Sequence, residues 1–383
     1  MKNKNILKNA GVQSLIASLL CIIVGVLVGY IVLLFINPAG AGKAILAVLK
    51  NFWTYPSPAA QAMYLGNTLA KTAPLLMCSL SVLFAYKVGL FNIGTAGQYM
   101  AGITAGLYAA LAWGWSWLPC MIFAAAAGAV LGAVVGLLKA YCNVNEVISG
   151  IMLNWISLYT GNMILSNVKE NASPYTFTVS GYAKQAVLPT LGLEKLFSNN
   201  KYVTIAIPLT ILVAIVIMVL LDKTKFGYEL KATGNNKNAA KYAGMAENRN
   251  IVLTLIISGA LAGLGAACFY LTGYEQWQVT ATAVPAMGFN GIAAAFLGGL
   301  HPIGTIFSSF FIQHITSGGA YVDKTMYASQ ISDLISSLII YLCGFVLFIK
   351  FFINGRIAKR EEKLAQKEKS ADTASESGKG GDE

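Results

Sequence analysis

Amide, carboxylate and aromatic side chains stand in or beside long apolar stretches of this chain, and their chemistry needs explaining first. They cluster around Asn92, Asn145 and Asn290, with glycines close to the first and third of these positions. A polar group surrounded by apolar side chains needs a hydrogen-bonding partner or a watery cavity, because leaving it unsatisfied is costly. Such groups suit a neutral, hydroxyl-rich or heterocyclic solute. The predicted solute-binding residues are Phe91, Asn92, Gln98, Asn143, Asn145, Glu146, Asn154, Phe289 and Asn290.

Each of these residues also has a purely structural interpretation. Glycine permits a broken helix whose free amides bind a solute, but glycine and asparagine equally lock one helix against another. Glu146 could simply stabilise the N-terminus of a helix. Phe91 and Phe289 could stack on a base-like ligand, or pack against lipid or the core. Lys71 is predicted to snorkel toward the membrane surface.

The sequence holds no constellation that predicts catalysis, a metal site or a cofactor. His301 and His314 have no cysteine or carboxylate at ligand spacing, which favours satisfied or interfacial histidines. The segment GAGK at 40–43 departs from a phosphate-binding loop, because Asn37 replaces its first glycine and Ala44 its serine or threonine. The six cysteines are scattered without metal spacing. We therefore predict that this chain is not itself an enzyme.

Composition indicates the elements that must position these residues. The residues AVILMFWYC make up 56% of the chain and DEKR only 11%, whereas soluble domains carry roughly a quarter charged residues. The long apolar runs exclude an ordinary soluble protein and predict an all-α, polytopic membrane protein. The net charge of +11 fits basic loops at a membrane surface, and the sequence lacks the motifs of nucleic-acid binders.

About ten transmembrane helices are predicted, most of them near the twenty residues that a crossing needs. The predicted segments are Ser14–Ile36, Leu65–Tyr86, Gly94–Trp113, Leu118–Leu138, Val147–Leu165, Val203–Leu221, Ile251–Leu271, Val284–Leu300, Ile303–Ser317 and Ile331–Phe351. If the chain begins inside, ten crossings place both termini and the main basic segments in the cytoplasm. Residues 1–13 are then a cytoplasmic basic N-terminus, 14–351 the transmembrane domain, and 352–383 a disordered cytoplasmic tail.

The second to fifth segments and the seventh to tenth run in opposite senses in this arrangement. Two four-helix units of opposite topology are typical of an inverted repeat. A Phe-Asn pair near the start of the second helix of each unit, Phe91-Asn92 and Phe289-Asn290, supports such a repeat. We therefore predict an inverted repeat of helices two to five and seven to ten.

Residues 222–250 form a basic, helix-permissive insert between two apolar segments. Phe226-Gly227 is predicted to break the preceding helix. The stretches 228–232 and 237–243 are predicted to form two short helices, with a turn at 234–236 between them. Two short helices rich in small residues could dock in a groove of another protein on the cytoplasmic side.

This insert, from Gly227 to Gly244, resembles the cytoplasmic coupling loop of ABC-transporter permeases that import branched-chain amino acids and simple sugars. The motifs at 91–98 (FNIGTAGQ), 143–154 and 288–293 (GFNGIA) resemble, more narrowly, the members that import nucleosides. Lysines stand where such loops often have arginine, but they keep the charge. By this resemblance the residues that couple to the ATPase are Gly227, Glu229, Leu230, Lys231, Ala232, Gly234, Asn236, Ala239, Ala240 and Gly244.

The resemblance implies a permease that moves nucleosides inward across the cell membrane, driven by ATP hydrolysis on another subunit. Its implied partners are an ATP-binding cassette ATPase, a second and non-identical permease subunit, an extracytoplasmic solute-binding lipoprotein and the lipid membrane.

Two alternatives stay open. One is a sugar or branched-chain amino acid permease of the same family. The other is an ion-coupled secondary transporter, which shares inverted repeats and polar sites near the membrane midplane. Its weakness is that an ion pathway normally needs buried carboxylates, and the spans offer few apart from Glu146 and Asp333. A scaffold or receptor is disfavoured further, since ten spans exceed what an anchor requires.

Overall fold

The computed structural model of this protein describes residues 10–169 and 173–328, together with scattered positions between 334 and 356. About half of the tenth predicted segment, Ile331–Phe351, and most of the tail at 352–383 lie outside these described residues.

The described chain is mostly helical. Its α-helices are α1 Ala10–Ile36, α2 Ala41–Lys50, α3 Pro58–Lys87, α4 Thr95–Leu111, α5 Trp117–Cys142, α6 Glu146–Ser166, α7 Ala206–Lys223, α8 Lys225–Asn235, α9 Lys237–Tyr242, α10 Glu247–Tyr270, α11 Ala286–Leu297 and α12 Pro302–Gly318. Each of the first nine predicted segments coincides with one of these helices. Short 3-10 turns follow α2 and α12.

Five of the described helices are long and apolar enough to cross a membrane: α1 from Ile16, α3, α5, α7 and α10. This supports a multi-pass membrane protein. The helices α4 and α12 have 17 residues each and α11 has 12, which is short for a crossing. Helix α6 has 21 residues but carries polar side chains, including Asn154 and Asn162.

A small antiparallel sheet departs from the all-α prediction. Strand β1, Thr176–Phe177, pairs with strand β2, Trp277–Gln278. The pair joins the connection between α6 and α7 to the connection between α10 and α11. Two residues per strand are too few to leave a period-two pattern in the sequence, so this pair could not have been predicted.

The core of the bundle lies along α3 and α10. Nearly every side chain of α3 from Ala70 to Ala85 is buried, with α10, α11, α12 and α7 around it. Helices at the periphery instead expose large apolar side chains, such as Phe35 of α1 and Ile122 of α5. Apolar exposure of this kind is expected where the solvent is lipid.

Glycines allow α5 and α10 to cross at backbone contact. Gly128 and Gly132 of α5 face Gly259 and Gly263 of α10, and a Cβ atom added to Gly259 would clash with the carbonyl oxygen of Gly128. Small residues spaced four apart let helices approach closely in lipid, where dispersion contacts drive association. This crossing fixes where the segments before α10 meet the rest of the bundle.

Candidate functional site

The break between α3 and α4, residues 88–94, carries a buried network of polar side chains. Asn92 Nδ2 donates to Gln98 Oε1 at 2.8 Å and to Ser258 Oγ at 2.7 Å. Gln98 Nε2 donates back to Asn92 Oδ1 at 3.3 Å. The exposed fraction is 2% for Asn92 and 1% for Gln98. Both amides therefore find partners within the protein, which fixes the path of the chain into α4.

Asn154 of α6 forms hydrogen bonds to the backbone at the end of the same break and in the first turn of α4. Its Oδ1 accepts a hydrogen bond from the backbone N–H of Gly97 at 2.7 Å, and its Nδ2 donates to the carbonyl of Ile93 at 3.1 Å. A side chain at Gly97 would collide with Asn154, because a Cβ there would lie 2.7 Å from Oδ1. The amide thus satisfies one of the free N–H groups that every helix N-terminus leaves.

Replacing Asn154 with leucine tests this role. The change keeps the volume but removes both hydrogen bonds and leaves the N–H of Gly97 without its partner. We expect the free energy of unfolding to fall by on the order of 2 kcal/mol, measured by thermal unfolding in detergent. We also expect the rate of solute uptake to fall in a transport assay. Asn167→Leu is the control, since Asn167 is exposed at the end of the same helix. Equal behaviour of the two variants would contradict the assignment.

The second Phe-Asn motif lies close to the same break. Gly288 of α11 contacts Ala96 of α4, where a Cβ would lie 2.8 Å from the Ala96 Cβ, and Gly291 packs against Cys78 of α3. Both glycines lie inside α11, so they serve close approach of helices, which is the structural one of the two interpretations left open by the sequence. Phe289 is 38% exposed, and Asn290 is half-buried.

Asn143, Asn145 and Glu146 form a separate group at the connection between α5 and α6. Asn143 ends α5 in the left-handed region, with φ of 53°. Asn145 caps α6, its Oδ1 accepting from the backbone N–H of Val147 at 2.8 Å. Glu146 Oε2 lies 2.8 Å from Lys139 Nζ. In the described part of the chain, no side-chain hydrogen bond joins this group to Asn92.

The insert at 222–250 folds as two short helices, as predicted, but its boundaries differ. Thr224, and not Phe226-Gly227, ends the preceding helix and caps α8, its Oγ1 accepting from Gly227 N–H at 3.0 Å. Gly227 is buried against α7 within the first turn of α8. Asn236 separates α8 from α9 and caps α9 through Ala239 N–H at 3.0 Å.

One face of α8 packs against the bundle. Leu230 is fully buried there, and Thr233 Oγ1 accepts a hydrogen bond from Asn250 Nδ2 at 2.9 Å. Gly234 lies on the backbone of Val88 and Gly89, with a Cβ on Gly234 placed 2.8 Å from the Gly89 nitrogen. Gly89 has φ of +75°, a conformation that favours glycine. The α8 helix therefore rests directly on the first residues of the 88–94 break.

The opposite face of α8 and most of α9 are exposed. Tyr228 is 65% exposed and Tyr242 94% exposed, and exposed lysines at 225, 237 and 241 surround them. Large exposed aromatics are typical anchors of protein interfaces. The sequence prediction missed Tyr228 and Tyr242, although aromatic residues in a polar, basic insert were a signal for them.

The predicted coupling residues divide between the two faces. Gly227, Leu230 and Ala240 are buried against the protein itself, and Lys231 forms an ion pair with Asp222 at 3.0 Å. The remaining predicted residues are exposed or half-buried: Glu229, Ala232, Gly234, Asn236, Ala239 and Gly244.

Among the described residues there is no group of three or more His, Cys, Asp or Glu side chains that could hold a metal ion. His301 caps α12, and His314 Nε2 lies 2.9 Å from the carbonyl oxygen of Leu49. Both histidines therefore have structural contacts.

Comparison of the sequence with known proteins identifies the family of this chain. The profile of the family described as "Branched-chain amino acid transport system / permease component" matches residues 64–344, which is most of the chain. The chain belongs to this permease family. The matched region begins in α3 and includes the break, the α8–α9 insert and the α10–α12 helices.

Three curated relatives of this permease show how far the similarity extends. The guanosine ABC transporter permease protein NupP of Bacillus subtilis is 31% identical over 351 residues, covering 90% of this chain and 97% of NupP. The nucleoside ABC transporter permease protein NupB of Lactococcus lactis is 29% identical, covering 92% and 95%. A second guanosine permease of Bacillus subtilis, NupQ, is 26% identical, covering 64% and 77%. No solved structure matches this permease.

Proposed function

We propose that this permease is the membrane subunit of an ATP-driven importer that moves nucleosides into the cell. The observation that carries the proposal is the similarity to NupP and NupB, which extends over nine-tenths or more of all three chains. Similarity confined to the coupling insert would support ATP coupling but not a solute class. ATP hydrolysis belongs to a separate subunit.

Competition for uptake tests the solute class. The permease and its partner subunits are reconstituted in liposomes, and uptake of labelled guanosine is measured with excess unlabelled guanosine, uridine, glucose or leucine. We expect the nucleosides to compete and glucose and leucine to leave uptake unchanged. Transport of glucose or leucine, with none of guanosine, would instead establish the sugar or amino acid alternative.

A second, non-identical permease is the partner that we propose in the membrane. Bacillus subtilis has two proteins named as guanosine permeases, and this chain resembles both, NupP more than NupQ. The proposed complex also contains two ATPase subunits and an extracytoplasmic solute-binding lipoprotein. Co-purification with a tagged copy of this chain tests the pairing. Recovery of this chain as a homodimer that transports by itself would contradict it.

We further propose ten crossings, with an inverted repeat of helices two to five and seven to ten and with both termini in the cytoplasm. The short helices α4, α11 and α12 would then cross beside neighbouring helices that bury their polar ends. In this arrangement α8 and α9 face the cytoplasm, and the connections that carry β1 and β2 face the outside. The basic character of the α8–α9 insert supports the sidedness.

The α8 helix transmits force in the proposed mechanism. The ATPase binds the exposed face that carries Tyr228 and Tyr242, and closure of its ATP dimer displaces α8. Because Gly234 rests on Val88 and Gly89, this displacement reaches the break held by Asn92. The predicted solute-binding residues then have two roles in our proposal. Asn92, Gln98, Asn154 and the capping residues Asn143, Asn145 and Glu146 hold the break, while Phe91, Phe289 and Asn290 contact the solute.

An ion-coupled secondary transporter is the less favoured function. Glu146 is paired with Lys139 at a helix end, an arrangement that suits a cap better than an ion relay. Asp333, the other candidate carboxylate, lies outside the described residues.

A further inference from the structure

A cavity of about 350 Å³ lies between α3, the end of α12 and the segment 319–328. That volume is within the range of small-molecule sites. Tyr64 and Lys71 on its wall are 23 and 16 residues before Lys87, so the cavity lies roughly 24–35 Å along α3 from the end that meets α8. It is therefore distinct from the polar network around Asn92, at the opposite end of the same helix.

Lys71 gives this cavity a charged hydrogen-bond donor. Its Nζ lies 5.2 Å from the centroid of the Tyr274 ring, and Tyr274 also lines the cavity. Across the described residues, Lys71 has no hydrogen-bond acceptor and no carboxylate within 4.0 Å. Lys71 therefore lies on the wall of a cavity, a position that the prediction of snorkelling did not include. An ionisable residue inside an apolar helix marks a functional site by default.

Glu275 lies close enough to Lys71 for the two charges to interact. Burial raises the pKa of the Glu275 carboxyl, and the Lys71 ammonium opposes that shift. Glu275 is in the connection between α10 and α11, and it does not itself line the cavity. Among the described residues Glu275 makes no ion pair with Lys71 within 4.0 Å, so it does not occupy the three donors of that ammonium group.

Four tyrosines form the aromatic part of the wall: Tyr64, Tyr274, Tyr321 and Tyr327. Tyr64 stacks on Tyr55 with ring centroids 4.2 Å apart, and Tyr321 meets both rings edge-on at 6.1 and 5.5 Å. This packing holds the rings in place before any ligand arrives. The hydroxyl and amide side chains of Asn67, Thr68, Thr316 and Ser317 also line the cavity, and Lys324 adds a second ammonium.

We propose that this cavity is an outer subsite for the solute, in which the tyrosines contact a flat heterocyclic base and Lys71 donates to an oxo group on it. The inference rests on the proposed function and adds a selectivity to it. An ammonium group is a donor without an acceptor. Guanosine, inosine and uridine offer an oxo acceptor on the base edge, whereas the exocyclic amino group of adenosine is a donor.

Kinetics of Lys71 variants in the reconstituted importer test the subsite. Lys71→Met keeps an unbranched apolar stem and removes the donors, while Lys71→Arg keeps donors and charge. We expect Lys71→Met to raise the KM for guanosine and for uridine about tenfold, the effect of one lost hydrogen bond to a charged group. The KM for adenosine should change less than about twofold, and Lys71→Arg should restore the preference.

Controls separate recognition from folding. Lys184→Met removes an exposed lysine from the connection between α6 and α7, and we expect it to leave every KM unchanged. Membrane yield and the maximal ATPase activity at saturating solute should match the wild type in all variants. Tyr321→Leu is expected to raise the KM for every nucleoside, because stacking on an aromatic ring tolerates any base.

Three results would overturn the subsite. One is an unchanged KM for guanosine in Lys71→Met, with wild-type nucleoside transport intact. A second is an equal rise for guanosine and adenosine. The third is stronger competition by nucleoside monophosphates than by nucleosides, which would assign the two lysines to a phosphate. A wild-type complex that transports no nucleoside would instead defeat the proposed function, and the subsite with it.

Discussion

Replacing Gly234 with valine is expected to reduce ATP-driven uptake about 100-fold, at the upper end of coupling energies between distant sites. A Cβ at Gly234 would lie 2.6 Å from the carbonyl oxygen of Val88 and 2.8 Å from the nitrogen of Gly89. Neither neighbour is the mobile end of a side chain, so α8 must move away from the break. In the proposed mechanism, the motion of the ATPase then no longer reaches residues 88–94.

Two measurements separate this uncoupling from misfolding. The ATPase subunit should still co-purify with the Gly234→Val variant, because Tyr228 and Tyr242 on the exposed face are unchanged, while ATP hydrolysis no longer responds to solute. Gly42→Val is the control, since nothing lies within 4 Å of a Cβ at that position in α2. Normal uptake by Gly234→Val would show that α8 does not carry the coupling.

The second large effect is expected from Gly259→Ala. A single methyl group there clashes with the carbonyl oxygen of Gly128 and lies 3.2 Å from the Cα of Gly132, so α5 and α10 must separate along their crossing. Overpacking of this kind destabilises by about 2–3 kcal/mol, and the lost dispersion contacts are the main force between helices in lipid. We expect a lower melting temperature and a reduced yield of folded protein in detergent.

Gly106→Ala is the matched control for that variant. It makes the same change in α4, where the added Cβ has only an ordinary contact, 3.6 Å from the Cβ of Ala124. Thermal unfolding followed by fluorescence-detected gel filtration compares the two. A melting temperature of Gly259→Ala equal to that of Gly106→Ala would mean that the α5–α10 crossing is looser than the structure shows.

Elements with a strong local pattern could be predicted from the sequence. Long apolar runs predicted nine of the helices in order, α1, α3 to α7 and α10 to α12, and the 222–250 insert indicated the two short helices α8 and α9. Helix α2 was not predicted. The end of α7 was placed at Phe226-Gly227, although Thr224 is the better stop signal because its hydroxyl caps the next helix.

Glycine patterns left two interpretations open in the sequence, because one residue type serves several conformations. Gly89 has a positive φ in the break between α3 and α4, whereas Gly288 and Gly291 are ordinary helical residues that allow close contact. Only the neighbours in space distinguish these cases.

Long-range partners explain most of what the sequence could not predict about the candidate site. Ser258, which accepts from Asn92, is 166 residues away in the chain, and Trp277 donates to Asn162 across 115 residues. The cavity beside Lys71 likewise combines α3, Tyr274 and the end of α12. A local pattern identifies the polar residue but not the group that satisfies it.

The source of energy for transport is the most direct test of the central claim. Uptake of labelled guanosine is measured in liposomes that contain this permease, its partner permease, the ATPase and the binding protein, with and without ATP and with ionophores that collapse sodium and proton gradients. We expect uptake that requires ATP and is indifferent to the ionophores. Uptake that continues without ATP and stops when the gradients collapse would contradict an ABC importer.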